Sequence, residues 1–339
     1  SSAASDVYKR QGDGVIALAN TPEDIRVLKS LNCPVVNLSG AYPESDFPRI
    51  RPDYDRIGRM AAWHLLDRGY RRFGFYGITD VWYSEGYEAG FCHELSTRGL
   101  DCSVLNVAAT LGSKTRWDIG QGELELWLGT IRPPFAVMAA HDPRAAMVIR
   151  ACERVGLRVP DDVAVIGVNN DTVSCESCHP PLSSIERNDA EIGEEAARLL
   201  DRLIQGKEVS TEEKIVAPGA VQDRQSTDSL AVDHPDLLKA IEYSREHFCK
   251  PIGVADIVDA NPRSRRWLED AFVENLGCTP RTFIFRLRIR EAQKLLTDNP
   301  DLQPGEVAAR CGYSGTRQLN AHFRSELGMT AREFTKADL

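Results

Sequence analysis

The feature that most limits what this 339-residue chain can fold into is a duplication near its C-terminus. Leu268, Phe272, Leu276, Gly277, Thr279 and Phe283 recur 51 positions later as Leu319, Phe323, Leu327, Gly328, Thr330 and Phe334. Upstream the register slips by one, so that Ile257 answers Val307. Each copy reads as a short helix (VADIVDA; GEVAARC), a tight turn, then a longer helix (SRRWLEDAFVENLG; TRQLNAHFRSELG). The turns hold Asn261-Pro262 and Gly312-Tyr313, a chain-reversing pair and a residue at ease in left-handed backbone. Apolar residues at i, i+4 and i+8 place one face of each second helix inward. The other face carries Arg266 and Glu269 in one copy and Arg317, Gln318 and Asn320 in the other. Two helices joined by a short turn, the second with a polar, Arg-bearing face, fit a unit that reads DNA. Residues 279–297, between the copies, read as one long helix bearing Arg281, Arg286, Arg288, Arg290 and Lys294.

Charge singles out the same region. Residues 234–339 hold 16 Lys+Arg and 15 Asp+Glu, net +1, while the rest hold 25 and 35, net −10, giving the −9 of the whole chain. A basic face can form only in the C-terminal part. From Gly12 to about Ala220 the pattern is different: β-rich runs at 15–19, 34–38, 72–76, 136–140 and 163–168 alternate with helical ones at 57–66 and 145–155. Such alternation implies parallel sheets flanked by helices. Ligands of such sheets sit beyond the carboxyl ends of the strands, here the stretches AAHD and GVNND. Residues 221–235 are polar and aperiodic and read as an interdomain linker. Residues 1–11, SSAASDVYKRQ, also lack periodicity and read as a tail foreign to the fold, with earlier native sequence expected to be missing. Nine cysteines scattered along a long chain favour reduced thiols and a cytoplasmic setting. No window approaches 18 uncharged apolar residues, which excludes a membrane-spanning helix.

On these motifs, the segment from Ile252 to Phe334 resembles the AraC-type regulator domain. Two helix-turn-helix units are joined by a helix of the kind RLRIREAQKLL, and the second carries the signature most fully in EVAARCGYS and LNAHFRSELGMTAREF. Pro262 stands where Gly is frequent, and Asp270 and Ala321 where a basic residue is common. The N-terminal region resembles the periplasmic-binding-protein-like sensor of the LacI-type repressors, through DYDRIGRMAAWHLLDRGYRRFGFYG and through GLRVPDDVAVIGVNND followed by PPLSSIERN. The resemblance implies an α/β two-lobed sensor over residues 12–220, N-terminally truncated, and an all-α domain with two helix-turn-helix units over 236–337. It also implies a small sugar effector, of the xylose kind, held between the lobes by Asp53, Tyr83, Tyr87, His141, Asp142 and Asn169. Acids and amides at strand ends would bond hydroxyls, while aromatic rings stack on the sugar's apolar face. Tyr87 stands where many such sensors have Arg, and Asn169 where many have Asp.

The DNA-contacting set expected from the repeat is Ser264, Arg265, Arg266, Glu269, Arg288, Thr316, Arg317, Gln318 and Asn320. Arg266 and Arg317 suit guanine, Gln318 suits adenine, and Arg288 with its neighbours Arg286 and Arg290 suits phosphates. The chain is expected to act as a homodimer on promoter DNA, in contact with RNA polymerase, as a transcription activator of sugar-catabolic genes. A sugar-binding repressor is the alternative, and a carbohydrate enzyme on the α/β part a lesser one. No nucleophile–base pair, phosphate loop or metal spacing appears, so neither catalysis nor a cofactor or metal is expected. Cys175-Glu-Ser-Cys178-His179 meets the c-type haem spacing, but it reads better as cysteines of a sensor loop.

Overall fold

The computed structural model describes residues 12–337 apart from 45, 109–113, 208, 210–212, 233, 300 and 328, so the tail at 1–11 lies outside the described residues. The chain divides into two compact units. The smaller holds the residues through Asp53, Asp80–Tyr83 and Asn188–Ala217; the larger holds Tyr54–Thr79, Ser84–Arg187 and everything from Pro218 onward.

In the smaller unit β1 (Val15–Ala17) runs parallel to β2 (Val35–Asn37). A parallel bridge from Asn37 to Arg49 leads on to β3 (Ile50–Pro52), which pairs in parallel with β9 (Lys214–Val216). Helix α1 (Pro22–Lys29) starts at Thr21, whose hydroxyl accepts from the Asp24 amide while Asp24 reaches back, a reciprocal cap that satisfies two amides at the helix start. Helix α7 (Asp189–Ile204) covers the sheet, with Ile192 and Ala196 buried against Val36, Ile50 and Val216.

The larger unit is built on a six-stranded sheet in the order β10-β8-β7-β6-β4-β5. Its members are β4 (Phe73–Ile78), β5 (Cys102–Val107), β6 (Phe135–Ala139), β7 (Val163–Val168), β8 (Ser183–Ile185) and β10 (Val221–Gln222). Every pair is parallel except β10 on β8. FGFYGI, FAVMA and VAVIGV are near-continuous apolar runs, and all their residues are buried, as parallel strands covered on both faces require. Helices α2 (Tyr54–Leu66), α3 (Trp82–Ser96), α4 (Lys114–Thr130), α5 (Asp142–Arg154) and the short α6 (Thr172–Glu176) connect the strands. Helices α2 and α3 meet backbone to backbone. A Cβ at Gly58 would lie 2.2 Å from the Tyr87 carbonyl oxygen, and one at Gly90 2.1 Å from that of Asp55, so this crossing requires glycine on both helices.

The strands β3, β5, β8, β9 and β10 do not stand out in the sequence. Most are two or three residues long, and β5 is half-exposed. The segment read as a linker is also corrected. Val221–Gln222 is the edge strand β10, and Gln225–Thr227 forms a 3₁₀ turn whose Ser226 and Thr227 are fully buried. Two of its three polar side chains, those of Ser226 and Thr227, point inward. The Ser226 hydroxyl donates to the Val165 carbonyl at 2.6 Å and accepts the Ser183 amide at 2.8 Å, while the Thr227 hydroxyl bonds His64 at 2.9 Å. A polar, aperiodic segment thus serves as a buried seam.

The rest of the larger unit is helical: α8 (Pro235–His247), α9 (Val254–Asp259), α10 (Arg265–Leu276), α11 (Pro280–Asp298), α12 (Pro304–Arg310), α13 (Thr316–Leu327) and α14 (Ala331–Ala337). The duplication becomes two small cores. One gathers Ile257, Leu268, Phe272, Leu276 and Phe283 against Leu237 and Ile241 of α8; the other gathers Val307, Leu319, Phe323 and Phe334 with Cys311 and Tyr313. The turn of the second copy depends on Gly312, at φ 74°, where a Cβ would lie 2.5 Å from the Lys250 carbonyl oxygen.

Candidate functional sites: the reading helices and the strand ends of the sensor

In the first copy α10 begins at Ser264, whose hydroxyl accepts from the Trp267 amide at 3.3 Å. Arg265 and Arg266 follow on the exposed face. Arg265 is paired with Glu269 at 2.9 Å, one turn on, and Arg266 lies 3.9 Å from Asp270 with 93% of its side chain exposed. In the second copy α13 opens with half-buried Thr316 and exposed Arg317. Four residues past Arg317 stands Ala321, so no acid of its own helix faces it there. Gln318 accepts from the Ser314 amide at 3.1 Å and from the Ser314 hydroxyl at 2.9 Å. Its oxygen therefore holds the turn, and only its amide NH₂ remains to read an acceptor. The adenine pairing expected from sequence would then rest on that NH₂ alone. Asn320 spends its oxygen on the Ala331 amide at 3.1 Å, bracing α14.

Arg288 is a correction. It is 4% exposed and donates to the carbonyls of Phe248, Lys250 and Ile252 at 2.8, 2.7 and 3.0 Å, with its guanidinium 5.7 Å from the Tyr313 ring centre. Its charge serves to close α11 onto the loop before α9, and no phosphate can reach it. Burial also lowers its affinity for a proton below that of a free guanidinium.

In the sensor, β6 and β7 run parallel with Met138 beside Ile166. His141 follows β6 by two residues and Asn169 follows β7 by one, both at carboxyl ends of central strands, where such sheets bind ligands. His141 caps α5, its Nδ1 accepting the Arg144 amide at 3.2 Å. Burial, then the Arg144 charge, pushes the ring down to about 4, so it is neutral and presents Nε2–H. Asn169 and Asn170 have φ values of 110° and 54°, a sharp left-handed turn that ends β7. Asn170, not singled out from sequence, accepts from Arg224 at 2.8 Å.

Two expected effector residues are spent on structure. Asp142 is fully buried, accepts from the Ser184 hydroxyl at 2.5 Å and the Asp171 amide at 2.7 Å, and is pushed up to about 6 by burial. Gly167 makes room for it, since a Cβ there would lie 2.3 Å from its oxygen. Tyr87 is 1% exposed and packs edge-on against Tyr54 at 5.5 Å, so its ring faces are not open to stack on a sugar. Asp53 and Tyr83 belong to the smaller unit, where their amides donate to the carbonyls of Val216 and Gly40, each at 2.9 Å. Cys175 and Cys178 are free and buried in the core beside Leu182, and burial pushes the Cys175 thiol up to about 12, as suits a packed, protonated thiol.

Comparison with known proteins agrees with both halves. Residues 62–227 match the periplasmic binding protein-like domain family, and residues 258–337 match a helix-turn-helix domain family of the AraC type. The chain is thus a DNA-binding transcription regulator, a periplasmic-binding-protein-like sensor joined to an AraC-type domain, and not an enzyme. Among its relatives is the xylose operon regulatory protein of Escherichia coli strain K12, 29% identical over 333 residues, which are 95% of this chain and 83% of that one. The structure of the xylose-binding transcription activator xylR matches with a TM-score of 0.61 at 28% identity, covering 97% of this chain and 88% of that one. A LacI family regulator from Enterococcus faecium with bound ribose matches at a TM-score of 0.55 and 25% identity over 67% of this chain and 83% of that one. No helix among the described residues is long and apolar enough to cross a membrane.

Proposed function

We propose that the chain is a sugar-responsive activator. Its sensor (12–220), docked segment (221–235) and DNA-binding domain (236–337) act in the cytoplasm as a homodimer that recruits RNA polymerase to promoters of pentose-catabolic genes. One observation carries the DNA reading: the duplicated cores present a second helix each, and Arg266 and Arg317 stand exposed at the same place in the two copies. Two reading helices on one chain suit successive major grooves about 34 Å apart. Ser264, Arg265, Glu269 and Thr316 flank those arginines. The effector reading rests on His141, Asn169 and Asn170 at the strand ends, short polar groups suited to hydroxyls, with Asp53 and Tyr83 as candidates in the smaller unit. It draws support from relatives named for xylose and from the bound ribose of the LacI-type structure.

Selection of binding sites from a random duplex pool, followed by gel shifts with and without D-xylose, D-ribose and L-arabinose, tests both parts. An enriched two-box site whose occupancy responds to a pentose is the expected result. Failure to enrich any sequence would overturn the DNA reading; enrichment without response to any sugar would overturn the effector reading alone.

A further inference from the structure

The sequence DRGYRR belongs to the sensor, yet in the structure each of residues 67–71 grips something outside the sheet it introduces. Asp67, just past the end of α2, has 2% of its side chain exposed and receives two guanidiniums of α11, Arg286 at 3.2 Å and Arg290. Arg68 donates through Nε to the Thr227 carbonyl at 2.7 Å and is ion-paired with Asp223. Gly69, at φ 83°, lets the chain after that seam pass close: the Ala231 amide donates to the Arg68 carbonyl at 2.8 Å, and a Cβ on Gly69 would lie 2.8 Å from Val232. The Tyr70 hydroxyl meets Ser229 at 2.5 Å. Arg71 donates to the Glu274 carbonyl at 2.9 Å and reaches that of Val273 at 3.4 Å, where the first reading helix ends.

We propose that this turn is the joint through which the sensor sets the DNA-binding domain, with Asp67 as its positioning residue. The inference rests on the regulator reading and adds the route of regulation. Two anchors on different helices, Asp67 on α11 and Arg71 on α10, fix orientation as well as attachment, because one anchor alone would allow rotation. Helix α11 links the two helix-turn-helix units, so holding it sets where both reading helices lie relative to α2. The same helix begins at Tyr54, the first residue after the chain leaves the smaller unit at Asp53. A change at that crossing reaches Asp67 through thirteen residues of rigid helix. The carboxylate is buried between two cations, so it cannot be lost at little cost. A cavity of about 280 Å³ lined by Trp63, His64, Asp67, Arg286, Arg290 and Lys294 adjoins the joint and leaves α11 room to shift. Arg286 and Arg290, expected from sequence at phosphates, are thereby turned to the sensor.

The test is Asp67→Asn in the full chain, with Asp67→Glu as the charge-keeping control. In the absence of sugar, hydrogen exchange should quicken on the order of 10-fold or more in α11 and the last turn of α10, with β4, β6 and β7 unchanged. With the selected operator, the change in affinity that a responsive pentose produces should fall toward unity, from the roughly 5–150-fold span usual for coupled sites. Sugar affinity by calorimetry and affinity for random duplex should stay at wild-type values, and Asp67→Glu should restore most of the response. Wild-type exchange in Asp67→Asn would overturn the joint. Faster exchange with an intact sugar response would reduce Asp67 to a structural brace and overturn its positioning role. If the wild-type chain answers no sugar, the effector reading has failed instead, and exchange alone decides the joint.

Discussion

The two helix-turn-helix copies share their buried positions and differ on their exposed ones. Leu268 and Leu319, Phe272 and Phe323, and Phe283 and Phe334 fill equivalent places, nearly all without exposure. On the surface, Arg266 faces Asp270 in the first copy, whereas Arg317 faces Ala321 in the second. The first copy also shares its core with α8 and is tied to the sensor by Arg71, while the second packs around its own residues and α11 and meets the sensor through Arg56, whose guanidinium lies 5.7 Å from the Phe334 ring centre. Burial constrains side-chain volume and leaves the surface free to diverge. One copy can therefore serve as the more firmly anchored unit and the other as the sharper reader.

Truncating the equivalent phenylalanines should have the largest effect and should separate the copies. Phe272→Ala and Phe323→Ala should each cost about 3–5 kcal/mol within their own core. Loss of Phe323 should raise hydrogen exchange only in the second copy, whereas loss of Phe272 should also release α8 and the docked segment. Equal, local effects from both would erase the distinction between the more and the less firmly anchored copy.

On DNA, Arg317→Ala should cost about 1–3 kcal/mol on the selected site and almost nothing on random duplex. Arg266→Ala should cost less, because its guanidinium already has an acid one turn away. Competition gel shifts measure both, and a larger loss at Arg266 would reverse the assignment of the sharper reader.

Arg288, where the copies join, gives a different signature. Arg288→Gln should lower stability by roughly 1–3 kcal/mol, since three carbonyls lose their donor. The salt dependence of binding should stay fixed, because no phosphate contact is removed. A slope lowered by about one would return Arg288 to the DNA.

The smallest expected effect is on pH. His322, between Phe285 and Tyr313, is pushed below the usual histidine range by burial, then by Arg281 and Arg288, while the first copy has Ala271 in its place. Because its folded form resists a proton that the unfolded chain accepts, its contribution is full above about pH 6.5 and declines as pH falls below it. Exchange corrected for intrinsic rates should therefore quicken in the second copy alone between pH 7.5 and 5.5, and His322→Phe should abolish that difference. Acid sensitivity of equal size in both copies would rule out this origin.

Much of this protein can be read in its residues one by one. The 51-residue offset determined the paired helical units, and the apolar runs VAVIGV and FAVMA determined buried parallel strands, because burial periodicity is a local property of the chain. Exposed Arg317 follows from the same reasoning. What sequence could not supply was the partner of each polar group. Asp142 stands at a strand end, as a ligand-binding acid should, yet Ser184 and the Asp171 amide occupy its oxygens. Arg288 lies on a helix rich in arginine, yet three carbonyls claim it. The polar stretch at 221–235 has the composition of a linker, yet Ser226 and Thr227 are buried in a hydrogen-bonded seam. The joint at Asp67 pairs residues more than two hundred positions apart. A polar side chain carries no mark of whether water or another part of the fold will satisfy it; only the tertiary structure, by bringing distant donors and acceptors together, decides that.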